Sequence, residues 1–209
     1  MEHLPNQTSE VERLESLWGG EFGDTYTQRN AAASQGRKAF WEKIVALCAP
    51  QRVLEIGCNL GGNLHPLSLF LPQRSLYGID INEGALAQMR GGELSGVNAV
   101  WASARDLPFK DGFFDLTFTM GVLIHQPESS LLEVMNEAVR CSRRYVLCGE
   151  YADDSTVEVL YRGETGALFR RPYGALYQQN FPALQLVESG ILGAEQGFDN
   201  VTFWLFEKK

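Results

Sequence analysis

The sequence predicts an α/β fold: a mostly parallel sheet closed by an antiparallel strand pair, with a helical segment ahead of it. Three observations predict it. Short apolar runs alternate with amphipathic stretches between residues 52 and 149, and this alternation implies parallel pairing through right-handed crossovers. The first run enters a glycine-rich turn, Glu55-Ile56-Gly57-Cys58-Asn59-Leu60-Gly61-Gly62, and the second ends in Asp80. The last two runs, 184–188 and 201–206, have no good helix between them, and antiparallel strands need no helical crossover.

In chain order, residues 9–18 read as a helix with Val11, Leu14, Leu17 and Trp18 on one face, capped by Ser9 and ended by Gly19-Gly20. A polar segment, 21–30, follows. A second helix spans about 34–48 on a stripe of Phe40, Trp41, Ile44, Val45 and Leu47, and Pro50 stops it. Strands are expected at 52–57, 75–80, 99–102, 114–120 and 144–149. Helices are expected at 63–71, perturbed by Pro66, and at 83–90 and 129–141. Gly190, Gly193 and Gly197 fall in the link between the final strands. Residues 1–33 are read as a helical lid or cap and 34–209 as the α/β domain, with an insert at about 155–182 that shapes a substrate pocket.

Length and composition narrow the partners. A chain of 209 residues, 44% hydrophobic, has room for one sizeable core. A net charge of −8 without a basic run argues against nucleic acid, which needs a basic face. No apolar stretch approaches the ~20 residues that span a bilayer, and the first residues lack the pattern of a signal peptide. A soluble, cytoplasmic protein acting on a small molecule, monomeric or homodimeric, is expected. Cys48, Cys58, Cys141 and Cys148 form no CxxC pair and read as buried thiols. Three scattered histidines give no metal site.

The glycine turn presents backbone N–H groups at the start of a helix. Its pattern is G-x-N-x-G-G, with Asn59 where a dinucleotide fingerprint carries glycine. That spacing disfavours a bare pyrophosphate and suits an amino-acid moiety, with Glu55 placed to hold a cationic group indirectly. Asp80 lies where an acid binds ribose hydroxyls; the plainer alternative is a helix cap, for which Asn82 is better suited. Ser103 and Ala104, after the third strand, would flank a nucleobase or simply form a turn.

Several segments resemble the class I S-adenosylmethionine (SAM)-dependent methyltransferases: 53–61, Gly78-Ile79-Asp80-Ile81-Asn82, Asp106-Leu107-Pro108-Phe109, 114–121 and the tail 202–208. Residues 18–30, Gly57-Cys58-Asn59-Leu60-Gly61, Gly121-Val122-Leu123-Ile124-His125, Glu150-Tyr151 and Tyr161-Arg162-Gly163 resemble a narrower group, the pseudaminic acid biosynthesis-associated methylases. The resemblance implies a Rossmann-like methyltransferase fold with a seven-stranded sheet whose last strand is antiparallel, and SAM as cofactor. It implies that Gly57, Asn59 and Gly61 line the methionine part, that Asp80 with Ile81 takes the ribose, and that Ser103 and Ala104 flank the adenine. Many methyltransferases carry an acid at that last position, and this chain does not. Met120 and Glu55 complete the expected cofactor set.

Methyl transfer asks the protein mainly for alignment and a dry pocket. Catalytic candidates are His125, a general base or a structural histidine, Glu150, at the end of the fifth strand and facing the same cleft, and Tyr26. Substrate-binding candidates are Arg29, Asn30, Tyr151, Tyr161 and Arg162. Trp18, Phe22 and Tyr26 suggest an aromatic lid over a sulfonium, although Trp18 reads better as a cap on the sheet. Arg170 and Arg171 lie beside aromatics in the insert; Arg170 reads as solvated surface. The leading expectation is a small-molecule methyltransferase. One rival is intramolecular cyclisation of SAM to azetidine-2-carboxylate with release of methylthioadenosine. Another is a SAM-binding module without turnover. A nicotinamide dehydrogenase fits neither the glycine spacing nor the tail.

Overall fold

The computed structural model describes residues 9–29 and 36–209. Ahead of the sheet stand helices α1 (Glu10–Gly19) and α2 (Glu21–Arg29), then α3 (Lys38–Cys48). Ser9 caps α1 in a reciprocal capping box with Glu12. The polar segment 21–30 is itself helical over Glu21–Arg29. Its hydrophobic signal is weak because the residues it buries are Gly23 and Thr27. A Cβ at Gly23 would collide with the Trp18 carbonyl, so glycine lets α2 turn tightly back onto α1.

The sheet contains β1 (Val53–Ile56), β2 (Leu76–Asp80), β3 (Asn98–Trp101), β4 (Phe114–Met120), β5 (Ser142–Glu150), β8 (Leu184–Leu192) and β9 (Val201–Lys208). Its order is β3-β2-β1-β4-β5-β9-β8. The first five strands pair in parallel, and β9 runs antiparallel to both β5 and β8. β1 is buried throughout, as expected of a parallel strand covered on both faces. Helices α4 (Leu64–Leu67), α5 (Glu83–Gly91) and α6 (Glu128–Cys141) make the crossovers. The strand order reverses between β1 and β4, which opens a crevice at their carboxyl ends, where open α/β sheets bind ligands.

Some boundaries differ from expectation. Among the described residues α3 begins at Lys38, and Leu47 lies outside its buried stripe at 44% exposure. The helix expected at 63–71 is one turn, Leu64–Leu67, and the chain continues to Leu71 in hydrogen-bonded turns. Gly190 lies inside β8, where its missing side chain admits the Phe203 ring. The insert holds a small antiparallel ribbon, β6 (Val157–Glu158) with β7 (Phe169–Arg170), and a further helix, α7 (Tyr173–Asn180). Arg171 is buried there, its guanidinium 4.2 Å from the Phe169 ring, while Arg170 is exposed. All four cysteines are buried and free. Among the described residues no helix is long and apolar enough to cross a membrane, and no cluster of potential metal ligands occurs.

Candidate functional site

Two cavities meet above the glycine turn. The first lies between β2, β3 and the N-terminal helices and is lined by Leu14, Glu15, Trp18, Tyr26, Gly57, Asn59, Asp80, Ile81, Ser103, Ala104, Met120 and His125, among others. The second, about 440 Å³, runs toward the insert past Arg29, Arg37, Glu55, Asn63, Tyr151, Tyr161, Arg162 and Asp199. Tyr26, Gly57, Asn59, Met120, Gly121 and His125 line both.

The turn is built on left-handed backbone. Gly57 (φ 73°), Asn59 (φ 47°) and Gly61 (φ 79°) all have positive φ. A side chain on Gly57 would strike Val122, and one on Gly61 would strike Leu94 and Met89. Gly57 therefore keeps the cavity open. Gly61 faces helix α5 and the loop after it, and it lines neither cavity, contrary to its expected place beside the methionine part. Asn59 replaces a glycine without losing the conformation, since asparagine tolerates this region better than other side chains. Its Nδ2 donates to Thr27 Oγ1 at 3.0 Å, which ties α2 to the turn.

Asp80 ends β2 with both oxygens engaged. Oδ2 accepts from Asn59 N at 2.7 Å and Oδ1 from Asn82 N at 2.8 Å. The carboxylate keeps lone-pair capacity for a further donor. Burial raises its pKa against these hydrogen bonds. The helix cap is Asn82, whose side chain accepts from Ala85 N, so Asp80 is free of that task.

Glu55 is 2% exposed. Its Oε1 accepts from Asn63 Nδ2 at 2.7 Å, and Oε2 has no partner. Burial pushes its pKa up to about 8. Asn63 in turn accepts from Arg37 Nη1 at 2.9 Å, and Arg37 also donates to the Gly197 carbonyl and lies 4.5 Å from the Phe198 ring. A hydrogen-bonded chain thus joins a cation to a buried carboxyl along one wall. Arg37 and Asp199 carry no motif signal. Asp199 belongs to the cavity only because β8 and β9 return beside β5, where its Oδ2 accepts from Tyr151 Oη at 3.0 Å.

His125 Nδ1 sits 2.6 Å from the Ala167 carbonyl, so Nδ1 carries the proton and Nε2 the lone pair. Its partner is the insert rather than the adjoining Gln126-Pro127 turn. Burial lowers its pKa to about 4, and the imidazole is neutral at physiological pH. Trp18 packs on it at 4.2 Å. Trp18 therefore stands on the cavity wall and does not merely cover the sheet. Tyr26 meets the edge of Trp18 at 5.4 Å, and burial raises its hydroxyl to about 12.

Glu150 lines neither cavity. It is fully buried and accepts from the N–H groups of Val122 and Ile124 at 3.3 and 3.2 Å. It holds the turn after β4 in place, and burial pushes its pKa to about 7. The expectation that it faces the cleft fails because its side chain turns back beneath that turn. Asn30 lies outside the described residues.

Comparison with known proteins agrees with this geometry. Residues 53–144 match a methyltransferase domain family. Over that segment the chain is similar to a methyltransferase domain, and the sheet around it has the Rossmann-like methyltransferase fold. A malonyl-[acyl-carrier protein] O-methyltransferase from Legionella pneumophila is 33% identical over 79 residues, 36% of this chain and 27% of that protein. The matched segment thus spans about a quarter of that relative. Magnesium protoporphyrin IX methyltransferase from Synechocystis PCC 6803, solved with SAM bound, superposes with a TM-score of 0.71 at 12% identity, covering 99% of this chain and 100% of that one. Burkholderia thailandensis 1,6-didemethyltoxoflavin-N1-methyltransferase, solved with its substrate and S-adenosylhomocysteine, gives 0.70 at 14% identity over 100% and 93%. At such identities the likeness is one of fold. The matched segment ends at residue 144, before the insert, so Tyr151, Tyr161, Arg162 and Asp199 of the second cavity lie outside it.

Proposed function

We propose that the chain transfers the methyl group of SAM to a small acceptor held in the second cavity. The observation that carries this reading is the pair of cavities sharing one wall at the carboxyl ends of β1, β2 and β4. Asp80 with Ile81 would take the ribose in the first cavity. Glu55, buried behind Asn63, would favour the cofactor's ammonium indirectly through its charge, and Arg37, at the other end of the Asn63 chain, suits its carboxylate. SAM supplies a methyl carbon on a sulfonium that leaves as a neutral thioether.

The chain's own residues position and exclude water. Tyr26 and His125 stand in the shared wall, and Trp18 packs on both from the first cavity. His125 lines both cavities, and its Nε2 lone pair would accept the proton that a neutral acceptor sheds; a pKa of about 4 makes it a weak base. Arg29 and Arg162 line the acceptor side, and among the described residues neither makes an ion pair. Arg162 is also held at φ 53° in the tight Tyr161–Glu164 turn. Strain of this kind in a cavity wall points to function, and an acceptor with a carboxylate or phosphate would suit both guanidiniums. The resemblance to pseudaminic acid-associated methylases leaves the acceptor open.

Glu55 also favours a second reading with the same cofactor. There the α-amine attacks the γ-carbon of its own side chain, the carbon–sulfur bond breaks, and methylthioadenosine leaves with azetidine-2-carboxylate as product. The buried Glu55, ionised when the ammonium binds, would take up the ammonium proton as the ring closes. Incubation with SAM, with and without a panel of small carboxylates and phosphates, tests both. Acceptor-dependent S-adenosylhomocysteine supports methyl transfer; methylthioadenosine from SAM alone supports cyclisation; release of neither overturns both.

A further inference from the structure

The first cavity is walled by two carboxylates. Asp80 stands at the end of β2, and Glu15 reaches in from α1 above the loop that follows β3. β3 lies outside β2 at the sheet edge, so a nucleoside whose ribose meets Asp80 extends its base over Ser103 and Ala104, toward Glu15. We propose that Glu15 reads the exocyclic amine of the cofactor's adenine, so that the N-terminal helix, and not the core sheet, supplies the base-recognising carboxylate. The proposal rests on SAM occupying this cavity.

The hydrogen-bond inventory supports it. Ser103 cannot serve as the donor at the base edge, because its hydroxyl proton is already given to Glu15 Oε1 at 2.6 Å. Arg105 clamps the same carboxylate, with Nε to Oε1 at 3.0 Å and Nη2 to Oε2 at 3.1 Å. Oε1 thus accepts two bonds and Oε2 one, leaving one lone pair on Oε2 for another donor. Arg105 is itself steadied by Glu133 of α6 at 3.5 Å. Burial works to raise the pKa of Glu15, yet the hydrogen bonds from Arg105 and Ser103 hold it below its ordinary value. What results is an oriented, ionised acceptor at the far end of the cavity. An amine there donates to it; a carbonyl in the same place would face a lone pair and a negative charge. Because Glu15 belongs to α1, base recognition and lid docking are one event.

The test compares binding of S-adenosylhomocysteine with S-inosylhomocysteine, in which a carbonyl replaces the amine. Wild type is expected to favour the adenosyl compound by about ten- to a hundredfold, the worth of a hydrogen bond to a charged group. In Glu15→Gln, whose amide can also donate, and in Glu15→Ala that preference should fall to within about threefold. A structural latch alone would weaken both ligands equally and leave their ratio intact; that result, or no preference in wild type, overturns the proposal. Failure of S-adenosylhomocysteine to bind wild type at all would overturn the cofactor reading beneath it. Circular dichroism of both variants confirms that the comparison is made on folded protein.

Discussion

Asn59 does at one position what a glycine there could only half do. Its backbone takes the left-handed conformation of the turn, and its side chain fastens α2 through Thr27. Asn59→Gly keeps the turn and loses the tether. Global stability should change little, while amide exchange in α2 accelerates about fivefold, the worth of one neutral hydrogen bond. Asn59→Ala loses both, and thermal unfolding should report a cost of about 2 kcal/mol. If exchange in α2 is unchanged in Asn59→Gly, the tether is not what holds the lid. Asp80→Asn leaves one acceptor oxygen where two stood. SAM affinity by calorimetry should drop about ten- to a hundredfold with the fold intact. Asn59 was legible in the sequence as a departure from glycine, but its tether was not, since Thr27 lies 32 residues away with no motif linking them.

Among elements, the strands were the most legible and α2 the least. β1, β2 and β4 announce themselves through largely apolar runs, because both faces of a parallel sheet are buried. α2 is hidden in a polar stretch, because the residues it buries are small. The same asymmetry governs the site. Gly57 and Asp80 sit at strand ends, where topology forces them to the crevice. Glu15, Arg37 and Asp199 come from the lid, from the start of α3 and from the β8–β9 link, and only tertiary packing brings them in. Glu150 errs in the other direction: it ends a strand at the crevice yet spends its carboxylate on the backbone behind it. The lid also has a testable energetic role. Removing residues 1–29 deletes Glu15, Trp18 and Tyr26 from the cavity walls. The truncated protein should unfold cooperatively, since the sheet keeps its own core, while binding S-adenosylhomocysteine at least about tenfold more weakly. Unchanged affinity in titration calorimetry would reduce the two helices to a passive cap.

At the scale of the whole molecule, buried acids set the response to pH. Glu55 and Glu150 have folded pKa values of about 8 and 7, above the ordinary glutamate value of 4.5. Between those values the native state holds protons that the unfolded chain has released, so stability falls as pH rises through that window. His125 works the other way: its pKa of about 4 lies below the ordinary 6.5, and its contribution is lost as pH falls through that range. Above pH 6.5 His125 is neutral in both states, and the two glutamates govern the trend. Urea unfolding should therefore show lower stability at pH 8 than at pH 6.5, with a shallower slope in Glu55→Gln, which cannot titrate there. Ligand binding draws on the same proton. An ammonium held near Glu55 favours the ionised carboxylate, so SAM binding at pH 7 should release a proton. Calorimetry in buffers of different ionisation enthalpy reads that release, and it should vanish in Glu55→Gln. Binding without proton release in wild type would place the ammonium elsewhere and leave Glu55 as a neutral hydrogen-bonding partner of Asn63.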